Sequence, residues 1–368
     1  MSKLAVLIVA AMAALVASAA PDRAADPSNV DQVRAALTYG AMQRYFYRPS
    51  SALYSATYPR GRRGRPSELW PFSQALAATV SMAALPATIR VGSAALFDRL
   101  RGLRSYWNPR LRPPGYEAIV GANGEQYYDD NAWIGLELLR VNALTGDRFA
   151  LRRAERIFAL LVSGWDGDER HPCAGGVYWT RKPEIRDRNT VSTANAAQLG
   201  AALYRRTGRP NDLAWARTMY AWVSKCLLGP NGLYSDHLDV KGVVDPKQWS
   251  YNQGAMVAAG VRLFQATGQR AYLEQAERVA DAAIAAYTPF STSGEPPYFL
   301  AIFFDDLALL ASVDPTRDYS QAVREYGDAV AASALDSRTG LVRFGKPPVK
   351  LLEQAAIVRI YAGLARRS

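Results

Sequence analysis

The sequence predicts an all-α fold, an (α/α)6 barrel of six helical hairpins, on three observations. Apolar residues recur at helical spacing along the chain, and Val, Ile and Thr nowhere alternate over a run long enough for a sheet. A unit centred on a Thr-Gly pair recurs about every sixty residues, at Thr145-Gly146, Thr207-Gly208 and Thr267-Gly268. That period is longer than in the common solenoids and suits a hairpin plus a long loop. Helical segments start near residues 29, 69, 91, 130, 147, 191, 210, 251, 269, 299, 318 and 351, enough for six pairs.

The chain opens with Lys3, an apolar run from Leu4 to Val16, and the small residues Ala17-Ser18-Ala19. Charge, length and ending are those of a secretory signal peptide, with the cut expected before Ala20. An uncleaved anchor is the alternative. The run is at the short edge of the ~20 residues a bilayer needs, and no basic stop-transfer cluster follows. Residues 1–19 are therefore read as a signal peptide and 20–368 as a single catalytic domain, since no Gly/Ser or Pro-rich linker divides them. A secreted, periplasmic or cell-envelope location follows, with no stable membrane span after cleavage and a monomer as the default.

Each repeat reads as one hairpin. A first helix ends at the Gly, which suits a left-handed C-terminal cap. The segment Ala194 to Tyr204 is small and apolar nearly all round, and Gly254 to Phe264 is similar. Helices of that kind are buried. The second helix is amphipathic: Leu151, Ala154, Ile157, Phe158 and Leu161 recur at helical spacing between arginines and acids. Each hairpin thus has an inner and an outer helix. If the inner helices run parallel, their N-termini open on one end. Asp129-Asp130, Asn189 to Asn195, Trp249 to Gln253 and Pro296 to Phe299 then meet at one mouth.

A net charge of +11 raises nucleic acid, membrane or acidic glycan as partners. The arginines are scattered along helical faces among acids, and no nucleic-acid motif accompanies them, so nucleic acid is not expected. The one dense run, Arg60 to Arg65, lies in a Gly-rich loop and reads as solvated or as a contact for an anionic surface. Two cysteines, Cys173 and Cys226, leave a disulfide and two separate thiols equally open. The histidines are His171 and His237, with no zinc spacing around them. No metal and no cofactor is expected.

Gln126-Tyr127-Tyr128-Asp129-Asp130-Asn131-Ala132-Trp133 opens the fourth helix. Two acids at a helix start are ordinarily a cap and a dipole-favoured charge. Here Tyr128 and Trp133 flank them, and sugar sites pair carboxylates with aromatic rings. Glycoside hydrolysis needs one carboxylate at the anomeric carbon and one acid on the leaving oxygen. Adjacent residues can hold such groups ~5 Å apart, the separation for retention. Asp129 and Asp130 are the catalytic candidates.

Other stretches supply candidate sugar contacts. Gly175-Gly176-Val177-Tyr178-Trp179 lets the backbone approach a ligand beneath an aromatic pair, or forms a turn under a packed Trp. Trp249-Ser250-Tyr251-Asn252-Gln253-Gly254 opens an inner helix with amides suited to hydroxyls, or caps it. Phe303-Phe304-Asp305-Asp306 repeats the paired-acid look inside a helix and is read as structural.

Taken in order, Tyr128 to Trp133, Gly175 to Trp179, Asn189 to Asn195, Gly232 to His237 and Tyr251 to Gly254 resemble the motifs of glycoside hydrolase family 76, the endo-α-1,6-mannanases. The resemblance runs from about Tyr39 to the C-terminus and is strongest from Tyr127 to Ala286. It implies an (α/α)6 barrel and a retaining, metal-free mechanism, with Asp129 as nucleophile and Asp130 as general acid/base. It implies an α-1,6-linked mannose backbone as substrate, contacted by Tyr128, Trp133, Trp179, Asn189, Asn195, Asp236, Tyr251, Asn252 and Gln253. The first hundred residues match less clearly and leave chain-length preference and endo against exo action open. Two other classes share the barrel plan. Epimerases lean on histidines, which are scarce here. A non-catalytic glycan-binding protein needs the aromatics but not both acids.

Overall fold

The protein, described as a computed structural model over residues 27–61, 64–87, 90–121 and 125–367, is a closed double ring of helices. The signal-peptide reading of residues 1–19, and Arg62 and Arg63 of the basic loop, lie outside the described residues. The inner ring is α2 (Leu69–Ala83), α4 (Tyr128–Thr145), α6 (Thr190–Thr207), α8 (Ser250–Thr267), α10 (Pro297–Ala311) and α12 (Leu351–Arg367). Each packs on the next, and α12 closes onto α2. The outer helices are α1 (Pro27–Ala41), α3 (Ser93–Leu103), α5 (Arg148–Ser163), α7 (Pro210–Cys226), α9 (Arg270–Tyr287) and α11 (Ser320–Ser333). The twelve helices of the sequence reading are all present, with starts shifted by no more than about three residues. The only strands among the described residues are two-residue pieces in the loops.

Gly146, Gly208 and Gly268 all take φ near +72°, and each N–H returns to the carbonyl four residues earlier at 2.8 Å. A left-handed residue costs a side-chain-bearing L-amino acid strain that glycine escapes. Three identical caps therefore end three inner helices and turn the chain into the outer ones. Inner helices are buried nearly all round, as in α6, where Thr190 to Ala201 is continuously buried. Along α5 Ala150, Ala154, Ile157, Phe158 and Leu161 face the core. Hairpin pairing is offset at the ends of the chain: α12, the last helix, takes its outer partner from α1, the first.

The loops before the inner helices are tied down by one recurring device. The fourth residue of four inner helices is polar and fully buried: Asn131, Thr193, Gln253 and Gln354. Asn131 pairs with both backbone groups of Tyr116, accepting its N–H at 2.8 Å and donating to its carbonyl at 3.0 Å. Gln253 does the same to Tyr234 at 2.7 and 2.9 Å. Gln354 accepts from the Val342 N–H at 3.0 Å, and the Thr193 hydroxyl from the Val177 N–H at 2.9 Å. Buried backbone groups that leave a ladder need such partners. The device therefore holds long loops flat across the N-terminal end of the barrel.

Two further ties act on the loop between α5 and α6. Arg188 is fully buried and donates to Asp166, to the carbonyls of Pro172, Cys173 and Gly175, and to those of Leu238 and Asp239. Cys173 is joined to Cys226 at the end of α7, closing a sequence separation of 53. Cys226→Ser is expected to lower the free energy of unfolding by about 4 kcal/mol in the chain-entropy picture. A urea titration reads it, and a midpoint equal to wild type would contradict it.

Candidate active site

Asp129 and Asp130 lie in the first turn of α4, where unpaired N–H groups and the helix dipole favour negative charge. Both are half-buried. The Trp179 indole donates to Asp129 Oδ2 at 3.1 Å, and Tyr127 packs on Trp179 with ring centroids 5.0 Å apart. The loop is held to the helix by the Tyr128 N–H, which donates to the Trp179 carbonyl at 2.8 Å.

Burial makes both carboxyls weaker acids, to different extents. Burial pushes Asp129 up to about 6, and the Asp130 backbone N–H and the Trp179 indole limit the rise by supporting its charged form. Asp130 stands well above the ordinary carboxylate range, first from burial, then from the neighbouring charges of Asp129 and Glu68. Two close titrating groups with separated affinities divide the roles of base and acid. Of the two, Asp130 is held further from its charged form. Glu68, the residue before α2, escaped the sequence reading, because an isolated exposed acid before a helix carries no motif.

Asp236 faces this pair from the loop between α7 and α8. Its Oδ1 accepts from Asn252 Nδ2 at 3.0 Å and from the Tyr251 hydroxyl at 3.3 Å, and Oδ2 meets His237 Nδ1 at 2.9 Å. Burial first, and then the charges of Asp236 and Asp129, push the Tyr251 phenol above its ordinary range. Asp236, His237 and Asp245 bring three potential cation ligands within 4.8 Å of one another. The Asp236 carboxylate is already engaged on both oxygens, so the group is a hydrogen-bonded knot.

An aromatic wall completes the mouth. The Tyr251 ring lies 4.2 Å from Phe299, which also packs against Trp249 at 5.4 Å and Trp70 at 6.1 Å. Trp70 was missed in the sequence, because a single aromatic at a helix start looks like a core residue.

Several expected contacts fall elsewhere. Tyr128 is buried with its ring against Gly164, where an added Cβ would lie 2.5 Å from it, so it packs α4 onto α5. Both ends of the Gln253 amide are spent on the loop backbone, which leaves none for a hydroxyl. Gly175 and Gly176, at φ +109° and +87°, lie under Trp165 and Trp222 and form the packed turn. Asn189 and Asn195 are buried, with Asn189 Oδ1 and both polar atoms of Asn195 lacking partners among the described residues. Asp305 pairs with Arg359 at 2.8 Å, in keeping with the structural reading of that acid pair.

Trp133 lies one turn below the acids and lines a cavity of about 840 Å³ at the C-terminal ends of the inner helices. This cavity does not include Asp129 or Asp130. The mouth is the better candidate for catalysis, because it gathers the two carboxyls of unequal proton affinity, Asp236 and the aromatic wall.

Known proteins are similar to this chain in sequence and in fold. A mannan endo-1,6-alpha-mannosidase of Saccharomyces cerevisiae is 31% identical over 124 residues, 31% of this chain and 27% of the relative. The meiotically up-regulated gene 191 protein of Schizosaccharomyces pombe is 27% identical over 175 residues, 43% of this chain and 38% of that protein. The chain spans about a third of the length of the curated relatives it matches. A family 76 mannosidase from Bacteroides thetaiotaomicron superposes with a TM-score of 0.83 at 22% identity, covering 91% of this chain and 98% of that one. An alpha-1,6-mannanase from Salegentibacter sp. gives 0.74 at 20%, covering 92% and 99%. At that identity the neighbours show the fold, a six-hairpin α/α toroid. Residues 30–340 match the sequence model of glycosyl hydrolase family 76, and the chain belongs to that family.

Proposed function

We propose that this protein is an exported, endo-acting α-1,6-mannanase that works with retention. The reading rests on one observation: adjacent carboxyls at one helix start differ in proton affinity, with the Trp179 indole supporting the charged one. Asp129 attacks the anomeric carbon while Asp130 gives its proton to the departing glycosidic oxygen. Asp130 then takes a proton from water, whose oxygen displaces Asp129 and restores both groups. Trp179 and the Tyr251–Phe299 wall offer ring faces for a sugar, and the hydrogen-bonded group of Asp236, Asn252 and Tyr251 offers polar edges beside them. The Salegentibacter alpha-1,6-mannanase supports the substrate class, since an inactive variant with two adjacent aspartates replaced is in complex with alpha-1,6-mannotriose. Export rests on the leader-like N-terminus.

Incubation of the purified protein with linear α-1,6-mannan should release oligosaccharides seen by chromatography, with an α-configured first product by proton NMR. No cleavage of any α-mannan would sink the hydrolase reading and favour a glycan-binding role. An initial β product would sink retention. Activity should rise with pH as Asp129 ionises near pH 6 and fall when Asp130 loses its proton at higher pH. A flat kcat/KM profile between pH 4 and pH 9 would contradict the assignment.

A further inference from the structure

The 840 Å³ cavity at the other end of the barrel has its own chemistry, separate from the mouth. Arginines from α4, α6, α8 and α12 line it. Two are neutralised: Arg140 pairs with Glu137 at 2.9 Å, and Arg359 with Asp305 at 2.8 Å. The others lack that compensation. Arg205 and Arg206 at the rim donate only to the neutral amide oxygens of Gln265 and Asn142, at 2.7 Å for each shortest contact. Arg262 has no carboxylate within ion-pair distance among the described residues, and its Nε is buried without a partner. Gln198, only 5% exposed, is on the same lining, with its Nε2 donor buried and unpartnered among the described residues.

Helix C-termini carry partial negative charge, and arginines near them offset it. That accounts for Arg205 and Arg206 in the last turn of α6. It does not account for buried donors without acceptors deeper in the barrel, because leaving such a donor unpaired costs ~1–3 kcal/mol. Asp306 on this lining does not supply the missing charge. Burial and the charge of Asp305 push it up to about 8, so at neutral pH it is mainly a neutral carboxylic acid, itself able to donate. Its Oδ2 also lacks a partner. The uncompensated guanidinium of Arg262, with Arg205 and Arg206 on the same lining, is the feature that suits an oxyanion. Guanidinium groups match phosphate oxygens in geometry and charge. Trp133 at the floor offers a ring face, and the volume lies within the range of small-ligand sites.

We propose that this cavity is a second binding site, for a phosphorylated sugar or polyol, with the phosphate on Arg262 and its rim arginines and the polyol toward Gln198 and Trp133. Isothermal titration of the intact protein with glucose 6-phosphate, inorganic phosphate and glucose tests it. The expected result is saturable one-to-one binding of glucose 6-phosphate, weaker binding of inorganic phosphate and none of glucose. Arg262→Gln should weaken the sugar phosphate about tenfold or more. The double variant Arg205→Gln/Arg206→Gln should weaken it too, in a protein whose circular dichroism spectrum is that of the folded wild type. Absence of saturable binding by either phosphate probe would overturn the proposal, as would affinities untouched by both variants. Equal affinity for inorganic phosphate would overturn the polyol part.

Discussion

Asp129→Asn is expected to reduce kcat on α-1,6-mannan by at least about 10⁴-fold, since the proposed mechanism forms the glycosyl bond on its carboxylate. Asp130→Asn should cost a comparable factor on mannan but much less in the first step with a dinitrophenyl α-1,6-mannobioside, whose leaving group needs no proton. That split, read as burst-phase release of dinitrophenolate, separates nucleophile from acid. Equal loss on both substrates in both variants would remove the role assignment. Full activity in both would remove the site.

The same substitution has a stability signature of opposite sign. Asp130 is a weaker acid folded than unfolded, so the folded state holds the proton longer. Its contribution to stability is present below the ordinary value near 3.8 and is lost as pH rises toward the folded value. Asp130→Asn removes that loss. Its melting temperature should exceed wild type at pH 7 and converge with it near pH 3. A variant less stable than wild type at pH 7 would contradict the burial argument.

Arg188→Met is expected to be among the most damaging changes outside the mouth, at about 3–5 kcal/mol. Removing one partner of a buried ion pair leaves the other charge unsolvated. Here the abandoned groups are Asp166, 3.2 Å from the guanidinium, and carbonyls on two loops. Those loops carry Trp179 and Asp236, and Arg188-Asn189 pairs with His237-Leu238 in register. Activity should therefore fall more steeply than the folded fraction. The urea midpoint and kcat/KM at low temperature give the two readings. A midpoint shift below about 1 kcal/mol would mean that the buried network contributes little net stability.

Arg188 also marks where sequence reading stops. The helices were legible because their signals are local: apolar spacing over three or four residues, and a glycine after a threonine. Asp129-Asp130 was legible for the same reason, as a contiguous motif with aromatic neighbours. The Trp179, Asp236, Tyr251 and Asn252 stretches were legible as segments, and these four side chains do meet the acids or each other.

What tertiary structure alone decided are pairings between distant parts of the chain. Gln354 Nε2 reaches the Thr38 carbonyl across a separation of 316 residues, and α1 covers α12 because the ring closes there. Gln253 and Asn252 are sequence neighbours, yet one clamps a loop and the other meets Asp236, because consecutive helical positions point about 100° apart. Tyr128 and Trp133 were drawn to the site by proximity in sequence and turned from it by the same rotation. The order in which the two aspartates release their protons is likewise tertiary. It follows from burial and from an indole fifty residues away in sequence, which supports the charge on Asp129 while Asp130 keeps its proton.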